Sequence, residues 1–192
     1  MTNIFSRFVS SIFGGKRDVE DKAGSSSTVK AALPGTLQHL FIEPSGRDVT
    51  EALDGWKWIG LDGLEPAAVS AFGDIFFRAA DGSVKHLDMI AGRLTQVSRT
   101  WSELETQLND SGRQDDLLLA SLVVAARRKG LVLDRGQCYD FKKPPVLGGG
   151  MEVDQMEKTF FVVKVHIAGQ IHRQVKDLPP GTKINKVTMS DH

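Results

Sequence analysis

Short runs of alternating apolar and polar residues fill the middle of this chain. The runs at residues 55–60, 75–78, 84–88 and 94–97 predict four short strands, each with one buried face. Asp81 and Gly82 favour a tight hairpin turn between the second and third strands, and residues 91–93 supply the next turn. We expect Pro66 to begin a turn that leads to residues 71–74. Strands joined so closely predict an antiparallel meander with one face on the core.

Helical spacing follows the meander. Trp101, Leu104 and Leu108 share one face of a short helix, and Thr100 with Glu103 has the spacing of an N-terminal capping box. A second, central helix is predicted over residues 113–129, because apolar residues surround it and three basic residues occupy its last turn. Gly130 suits the position just after its end.

The last third of the chain alternates extended and helical patterns. Residues 142–145 are expected to be extended, because a residue before proline avoids the helical region. Residues 157–161 predict a strand, and apolar residues at positions 163, 167, 171, 175 and 178 predict an amphipathic helix that ends at a proline turn. The predicted fold class is therefore α+β: an antiparallel meander packed against several helices, with an extended Pro/Gly segment and a C-terminal amphipathic helix.

The N-terminal part of the chain differs from the rest. An apolar stripe over residues 4–13 predicts a short amphipathic helix, and the charged, serine-rich residues 16–30 predict a flexible linker. Three roles are open for this helix: packing on the main domain, docking on a partner, or contact with a membrane surface. We therefore predict an N-terminal appendage over 1–30, one α+β domain over 31–187 and a polar tail over 188–192.

Charge is unevenly distributed along a chain whose formal net charge is zero. Residues 31–126 hold seven Lys/Arg and fourteen Asp/Glu, whereas residues 127–192 hold twelve Lys/Arg and seven Asp/Glu. A nucleic-acid-binding protein usually has a strong basic excess, which is missing here. The acidic segment instead suits a basic protein partner, or the two segments neutralise each other within the fold. No apolar run reaches the roughly 20 residues of a membrane helix.

Candidate catalytic and metal-binding residues fit structural roles better. Asp74, Asp81 and Asp88 fall at turns and strand ends, without the alternating acids of a calcium loop. The glycines at 148–150 lack the Lys-Ser/Thr that follows a phosphate loop. Acidic residues follow them instead. We predict no cofactor.

The cysteine and histidine residues also lack a catalytic or zinc-binding pattern. Cys138 is the only cysteine, which excludes an internal disulfide, and we expect a small buried thiol. His166 and His172 are six residues apart, which does not place them on one helix face as a zinc helix requires. We expect His172 to be a polar residue at the rim of the helix. The sequence therefore predicts no catalytic and no metal site.

Two C-terminal blocks resemble a known family. They are residues 136–150, which contain GQCYDF and PPVLGGG, and residues 169–182, GQIHRQVKDLPPGT. These blocks, together with the order of the shorter pieces between residues 72 and 94, resemble the C-terminal domain of bacterial type VI secretion immunity proteins of the Tdi kind. The resemblance runs from about residue 56 to residue 187. Residues 32–55 show little of the GAD-like module that often precedes this domain in the family.

The resemblance implies a function. Such a protein is not an enzyme: it stays in the bacterial cytoplasm, needs no cofactor, and neutralises a cognate Tde-type DNase toxin by stoichiometric protein–protein binding. It implies no direct binding to nucleic acid. Two alternatives remain open: a small hydrolase or transferase that uses Asp140, His166 or Cys138, and a scaffolding domain without inhibitory action.

We expect the partner interface to be acidic, because a DNase surface that attracts phosphate is basic. Helix capping and solvation explain the acidic residues named at the end of this paragraph equally well. Tyr139 is a candidate aromatic anchor, provided that it is exposed, and we expect Trp56 and Trp58 to divide between core and surface. The acidic interface candidates are Glu103, Glu105, Asp110, Asp115 and Asp116.

Overall fold

The computed structural model describes residue 29 and residues 35–179, 181–184 and 186–189. The helix predicted over residues 4–13 and most of the linker after it lie outside these described residues. The expected α+β class is confirmed. One antiparallel sheet has the strand order β1-β2-β3-β4-β5, and its strands are Phe41–Ile42 (β1), Glu65–Ser70 (β2), Ile75–Arg78 (β3), Val84–Asp88 (β4) and Arg93–Ser98 (β5).

A second antiparallel sheet has two strands, Gln137–Phe141 (β6) and Met156–Phe160 (β7). The strands predicted at residues 75–78, 84–88, 94–97 and 157–161 are thus confirmed within about one residue. The described part of the chain contains four 3₁₀ helices: Gly35–Leu40, Asp54–Ile59, Pro145–Leu147 and Val153–Gln155. Its α-helices are Gly46–Leu53 (α1), Trp101–Gln107 (α2), Ser111–Leu118 (α3), Ala120–Arg128 (α4) and Phe161–Val175 (α5).

The five-stranded sheet is covered on both faces, because successive side chains of a strand point to opposite sides. Phe76 of β3 packs into a core with α2, α3, α4 and the second sheet. Its neighbours Ile75 and Phe77 pack into another core with α1, Trp56 and α5. All three side chains are at most 1% exposed. The strand pattern predicted a sheet with one buried face; the structure shows two.

Residues 55–60 do not form the strand that their alternation predicted. They lie in the 3₁₀ helix Asp54–Ile59, which follows α1 directly. Trp56 is fully buried, Trp58 is half-buried, and their rings stack at 5.7 Å. The Nε1 of Trp56 donates to the Val165 carbonyl at 2.8 Å, so its burial in helical geometry leaves no unpaired indole N–H. The prediction that the two tryptophans divide between core and surface is confirmed.

Pro66 does not begin a turn but lies in β2. The pairing of β2 with β3 shifts register between Pro66 and Ala68. Such an irregularity accommodates a residue that has no N–H to donate. The chain turns instead at residues 71–74, to which the predicted turn was expected to lead, and Gly73 adopts a positive φ of 84° there.

The helix predicted over residues 113–129 is broken at Leu119. This residue has φ 51°, and it is the one non-glycine residue with positive φ in the described part of the chain. A left-handed backbone costs a non-glycine residue about 1–2 kcal/mol. The Asp115 carboxylate offsets this cost by accepting hydrogen bonds from the backbone N and Oγ of Ser121, at 2.6 and 2.8 Å, at the start of α4. The side chain that caps α4 is therefore supplied by α3, a pairing that helical periodicity alone does not reveal.

Helix α5 packs against the 3₁₀ helix Asp54–Ile59 through two glycines. A Cβ atom added at Gly169 would lie 2.4 Å from the Gly55 carbonyl oxygen, and one added at Gly55 would lie 2.3 Å from the His166 carbonyl oxygen. The Nε1 of Trp58 donates to the Gly169 carbonyl at 3.1 Å across the same contact. On another side of α5, Gln174 exchanges two hydrogen bonds with the backbone of Thr188.

We predict that Gly169→Ala lowers the free energy of unfolding by about 1–3 kcal/mol, because the new methyl group meets backbone atoms that cannot rotate away. Chemical denaturation with a linear fit measures this change. Gly35→Ala is the matched control, since a Cβ there meets nothing within 4 Å. Equal stability of the Gly169→Ala protein and the parent would contradict the close backbone contact.

Candidate interaction surface

The acidic surface is defined by the five predicted interface acids on and around α2 and α3. Glu103 has a structural role, because its Oε2 accepts from the backbone N of Arg99 at 2.8 Å while Thr100 Oγ1 accepts from the backbone N of Glu103 at 3.1 Å. This is close to the predicted capping box, but the carboxylate bonds one residue before the cap. Asp110 caps α3 through the backbone N of Arg113, at 2.9 Å.

Two members of the acidic surface have no capping role. Glu105 is half-buried on α2, and Asp116 is exposed on α3. Asp116 Oδ2 lies 3.6 Å from Arg113 Nη1, one helical turn earlier. An exposed pair of this kind contributes about 0–1 kcal/mol. The capping interpretation therefore holds for Glu103, Asp110 and Asp115, whereas Glu105 and Asp116 contribute charge without holding a helix end.

Tyr139 does not meet the condition set for an aromatic anchor. Its side chain is 1% exposed, and its hydroxyl donates to the Leu131 carbonyl at 2.7 Å. Its ring packs against Phe72 at 5.6 Å, and burial raises the pKa of the phenol. The reason is the position of β6, because the Tyr139 backbone N donates to the carbonyl of Ala71, the residue that follows β2. Tyr139 thus lies in the core between the two sheets.

A pocket of about 150 Å³ lies beside the acidic surface. We call it the His86 pocket, and its lining includes Asp74, His86, Asp88, Asp116, Leu117 and Met151. Asp74 is 4% exposed and is held by Ser70 Oγ at 2.6 Å and by the backbone N of Met89 at 2.9 Å. Asp88 Oδ1 accepts from two turn N–H groups at 2.8 Å. Asp74 and Asp88 therefore do form turns, as predicted, and they also carry charge to this pocket.

His86 is the unusual member of this pocket. Its side chain is 4% exposed, and its ring stacks on Phe76 with centroids 4.5 Å apart. Its Nε2 is buried and has no hydrogen-bond partner in the part of the chain that the structure describes. Burial lowers the pKa of His86, although the charges of Asp74 and Asp88 oppose that shift. Nothing in the sequence singles out His86, because an alternating strand position carries no chemical signal of its own.

The three candidate residues of the enzymatic alternative are occupied by structural contacts. Cys138 is fully buried, and burial raises the pKa of its thiol to about 12, so the thiolate is scarce at neutral pH. His166 Nε2 pairs with Gln170 at 2.9 Å along one helix. Asp140 lines a cavity of only about 30 Å³, which has room for about one or two water molecules. The expectation that Cys138 is a buried thiol is confirmed.

His172 is not the polar rim residue that the helical stripe predicted. It is 5% exposed, and its Nε2 lies 3.0 Å from the Met89 carbonyl oxygen. Its ring fills the space beside Gly92, where a Cβ would lie 2.1 Å from Nδ1. The prediction is wrong because α5 has two buried stripes. One contains the predicted Val163, Ile167 and Ile171, and the other runs through positions 161, 165, 168 and 172.

Lys164 is a buried cation that the sequence analysis did not single out. Its side chain is 5% exposed, and its Nζ donates to the Phe72 carbonyl at 2.5 Å and to the Tyr139 carbonyl at 2.7 Å. Asp140 Oδ1 lies 3.6 Å away and supplies the opposite charge. The ammonium therefore joins α5 to the β2–β3 turn and to β6. Because these three partners already hold the ammonium group, we assign Lys164 a structural role.

Comparison with known families finds a match over part of the chain. Residues 98–172, less than half of the 192-residue chain, match a family of type VI secretion immunity domains. The family is that of the T6SS immunity protein Tdi1, C-terminal. The match confirms the resemblance seen in the sequence and supports a type VI secretion immunity protein. It begins at the end of β5 and extends into α5, so it includes the whole acidic surface.

Comparison with solved structures shows that the chain resembles a protein of known structure. The crystal structure of Atu4351 from Agrobacterium tumefaciens aligns at 23% identity with a TM-score of 0.41, over 65% of this chain and 62% of that chain. No curated protein matches the sequence. Within the described residues, no three His, Cys, Asp or Glu side chains are placed to hold a metal ion. No helix in the same part of the chain is long and apolar enough to cross a membrane.

We predict that Lys164→Met lowers the free energy of unfolding by about 3–5 kcal/mol, because it leaves the Asp140 carboxylate and two carbonyls without their cation. Urea denaturation monitored by tryptophan fluorescence measures this loss. The double variant Lys164→Met/Asp140→Asn should recover part of it, since no uncompensated charge remains. A single variant as stable as the parent protein would show that the buried ammonium contributes nothing.

Proposed function

We propose that this chain is an immunity protein that neutralises a cognate type VI secreted nuclease in the cytoplasm of the producing cell. It acts by one-to-one binding and makes or breaks no covalent bond. The observation that carries this proposal is the match of residues 98–172 to the Tdi1 C-terminal domain. The resemblance to this family implies binding of a toxin, which favours a non-enzymatic role for this chain.

The acidic surface supports a basic partner. Five carboxylates lie between residues 103 and 116, and Arg113 is the one Lys or Arg within the same stretch. A nuclease has to attract phosphate, so its working surface carries positive charge. Opposite charges across an interface raise the rate of encounter more than they raise affinity. The acidic surface would therefore steer the two proteins together before close contacts form.

The buried groups argue against the enzymatic alternative. Cys138 is a shielded thiol with a raised pKa, and His166 does not line the small cavity beside Asp140. A nucleophile needs a nearby base and access to substrate. In the described residues these three side chains do not line one substrate-sized pocket.

Co-expression tests the proposed function. The gene for the neighbouring effector is expressed in a heterologous bacterium with and without this chain, and growth and DNA integrity are recorded. The proposal expects growth arrest and DNA breakage with the effector alone, and recovery of both when this chain is present at an equal or higher level. Arrest that persists although the chain is abundant would contradict immunity.

We predict that Glu105→Lys slows association with the effector on the order of tenfold at low salt, because it reverses a charge on the steering surface. The matched control is Glu51→Lys, which reverses an exposed acid on α1, on the other face of the sheet. Stopped-flow measurements between 20 and about 300 mM salt record both rates, and added salt should shrink the difference. An equal effect of the two reversals would show that the acidic surface does not steer encounter.

A further inference from the structure

We propose that the His86 pocket receives one arginine side chain of the effector. This inference rests on the proposed function and adds the place and the chemistry of the contact. It starts from an unsatisfied group. A buried nitrogen without a hydrogen-bond partner is costly, and such groups in native proteins are rare. His86 Nε2 is such a group, and it belongs to a side chain that lines an open pocket.

The polar atoms of the pocket define the charge of its ligand. Burial favours the neutral imidazole of His86, and in the tautomer that carries its proton on Nδ1 the Nε2 accepts a hydrogen bond from a donor. Asp88 and Asp116 add carboxylate oxygens, which only accept when ionised. Arg113, the nearby cation, donates to Gln107 at 3.0 Å and lies 3.6 Å from Asp116 Oδ2, but it does not line the pocket. A ligand that satisfies this set must donate several hydrogen bonds and carry positive charge.

Size and shape favour arginine among the cations of proteins. A volume of about 150 Å³ corresponds to about five water molecules, which is enough for a guanidinium group and part of its stem. Arginine presents five N–H donors in a planar fork, whereas lysine presents a compact point charge. Leu117 and Met151 in the pocket wall provide apolar surface against which methylene groups pack.

The position of the pocket favours a macromolecular ligand. Asp116 belongs both to the pocket and to the acidic surface, so a partner steered by that surface arrives at the pocket mouth. Buried arginine anchors surrounded by other contacts are common centres of binding energy in protein interfaces. The acidic surface would then govern the rate of encounter, and the pocket would govern how long the complex lasts.

The first test uses His86→Phe and Asp116→Asn in the full chain, with Glu51→Gln as the control. His86→Phe keeps the ring on Phe76 and removes the unpartnered nitrogen, so thermal unfolding should be unchanged or shifted to higher temperature. Binding to the purified effector should nevertheless weaken at least tenfold in each pocket variant, mainly through faster dissociation. If the pocket variants lowered only the association rate, Asp116 would act by steering the encounter, and the proposed pocket contact would be wrong.

A double-mutant cycle identifies the ligand. Exposed arginines of the effector are replaced by Met one at a time and combined with His86→Phe. The proposal expects one arginine whose loss is at least tenfold less harmful in the His86→Phe background than in the parent protein. Additive losses for every effector arginine would overturn the proposal.

A third measurement separates failure of the inference from failure of the proposed function. Nuclear magnetic resonance of histidine-labelled protein records the His86 ring signals while Nα-acetyl-arginine amide is added, with the norleucine analogue and Zn²⁺ as further probes. Shifts of the His86 ring with the arginine probe alone support the pocket. If the pocket variants protect cells and bind effector as well as the parent, the pocket proposal falls and immunity stands. If the parent protein neither binds the effector nor protects cells, the proposed immunity function is wrong, and the arginine probe alone tests the pocket. The absence of a His86 shift with that probe, or tight Zn²⁺ binding, would overturn the pocket proposal.

Discussion

The buried ammonium of Lys164 holds together the three parts of this fold. It donates to a carbonyl in the β2–β3 turn and to a carbonyl of β6, while its own backbone belongs to α5. A cation so buried requires fixed acceptors and a counter-charge, and Asp140 supplies the charge. The second sheet and α5 can therefore dock on the first sheet in few ways other than the observed one. The paired glycines and the two tryptophan N–H bonds then fix how closely α5 approaches.

This docking positions the surface to which we assign function. With α5 and α1 covering one face of the first sheet, α2, α3 and α4 cover the other face. The acidic surface lies on α2 and α3 of this group. The break at Leu119 separates α3 from α4, and both Leu119 and Asp116 line the His86 pocket. The buried core thus fixes the positions of α2 and α3, which carry the acidic surface.

Periodicity predicted an element correctly where a single local pattern, strand alternation or one apolar helix face, determined it. Alternation gave β3, β4 and β5, and the apolar stripe gave α5. The prediction failed where a distant contact decided the outcome. Trp56 and Trp58 alternate like strand residues, but their N–H groups bond to α5, which lies over a hundred positions later. The capping of α4 by Asp115 and the burial of His172 against Gly92 are contacts of the same kind. Of the candidate surface, the acids were found by charge counting, whereas His86 emerges only when β4 and α3 are placed side by side.

We propose that this protein inhibits its effector by binding it one to one. Titration of the purified effector with this chain, with residual DNA cleavage recorded at concentrations far above the dissociation constant, tests that claim most directly. Inhibition by one-to-one binding predicts a straight decline of cleavage that reaches zero at one immunity protein per effector, with the effector's mass unchanged afterwards. Complete loss of cleavage at a small fraction of one equivalent, or a covalent change in the effector, would contradict it.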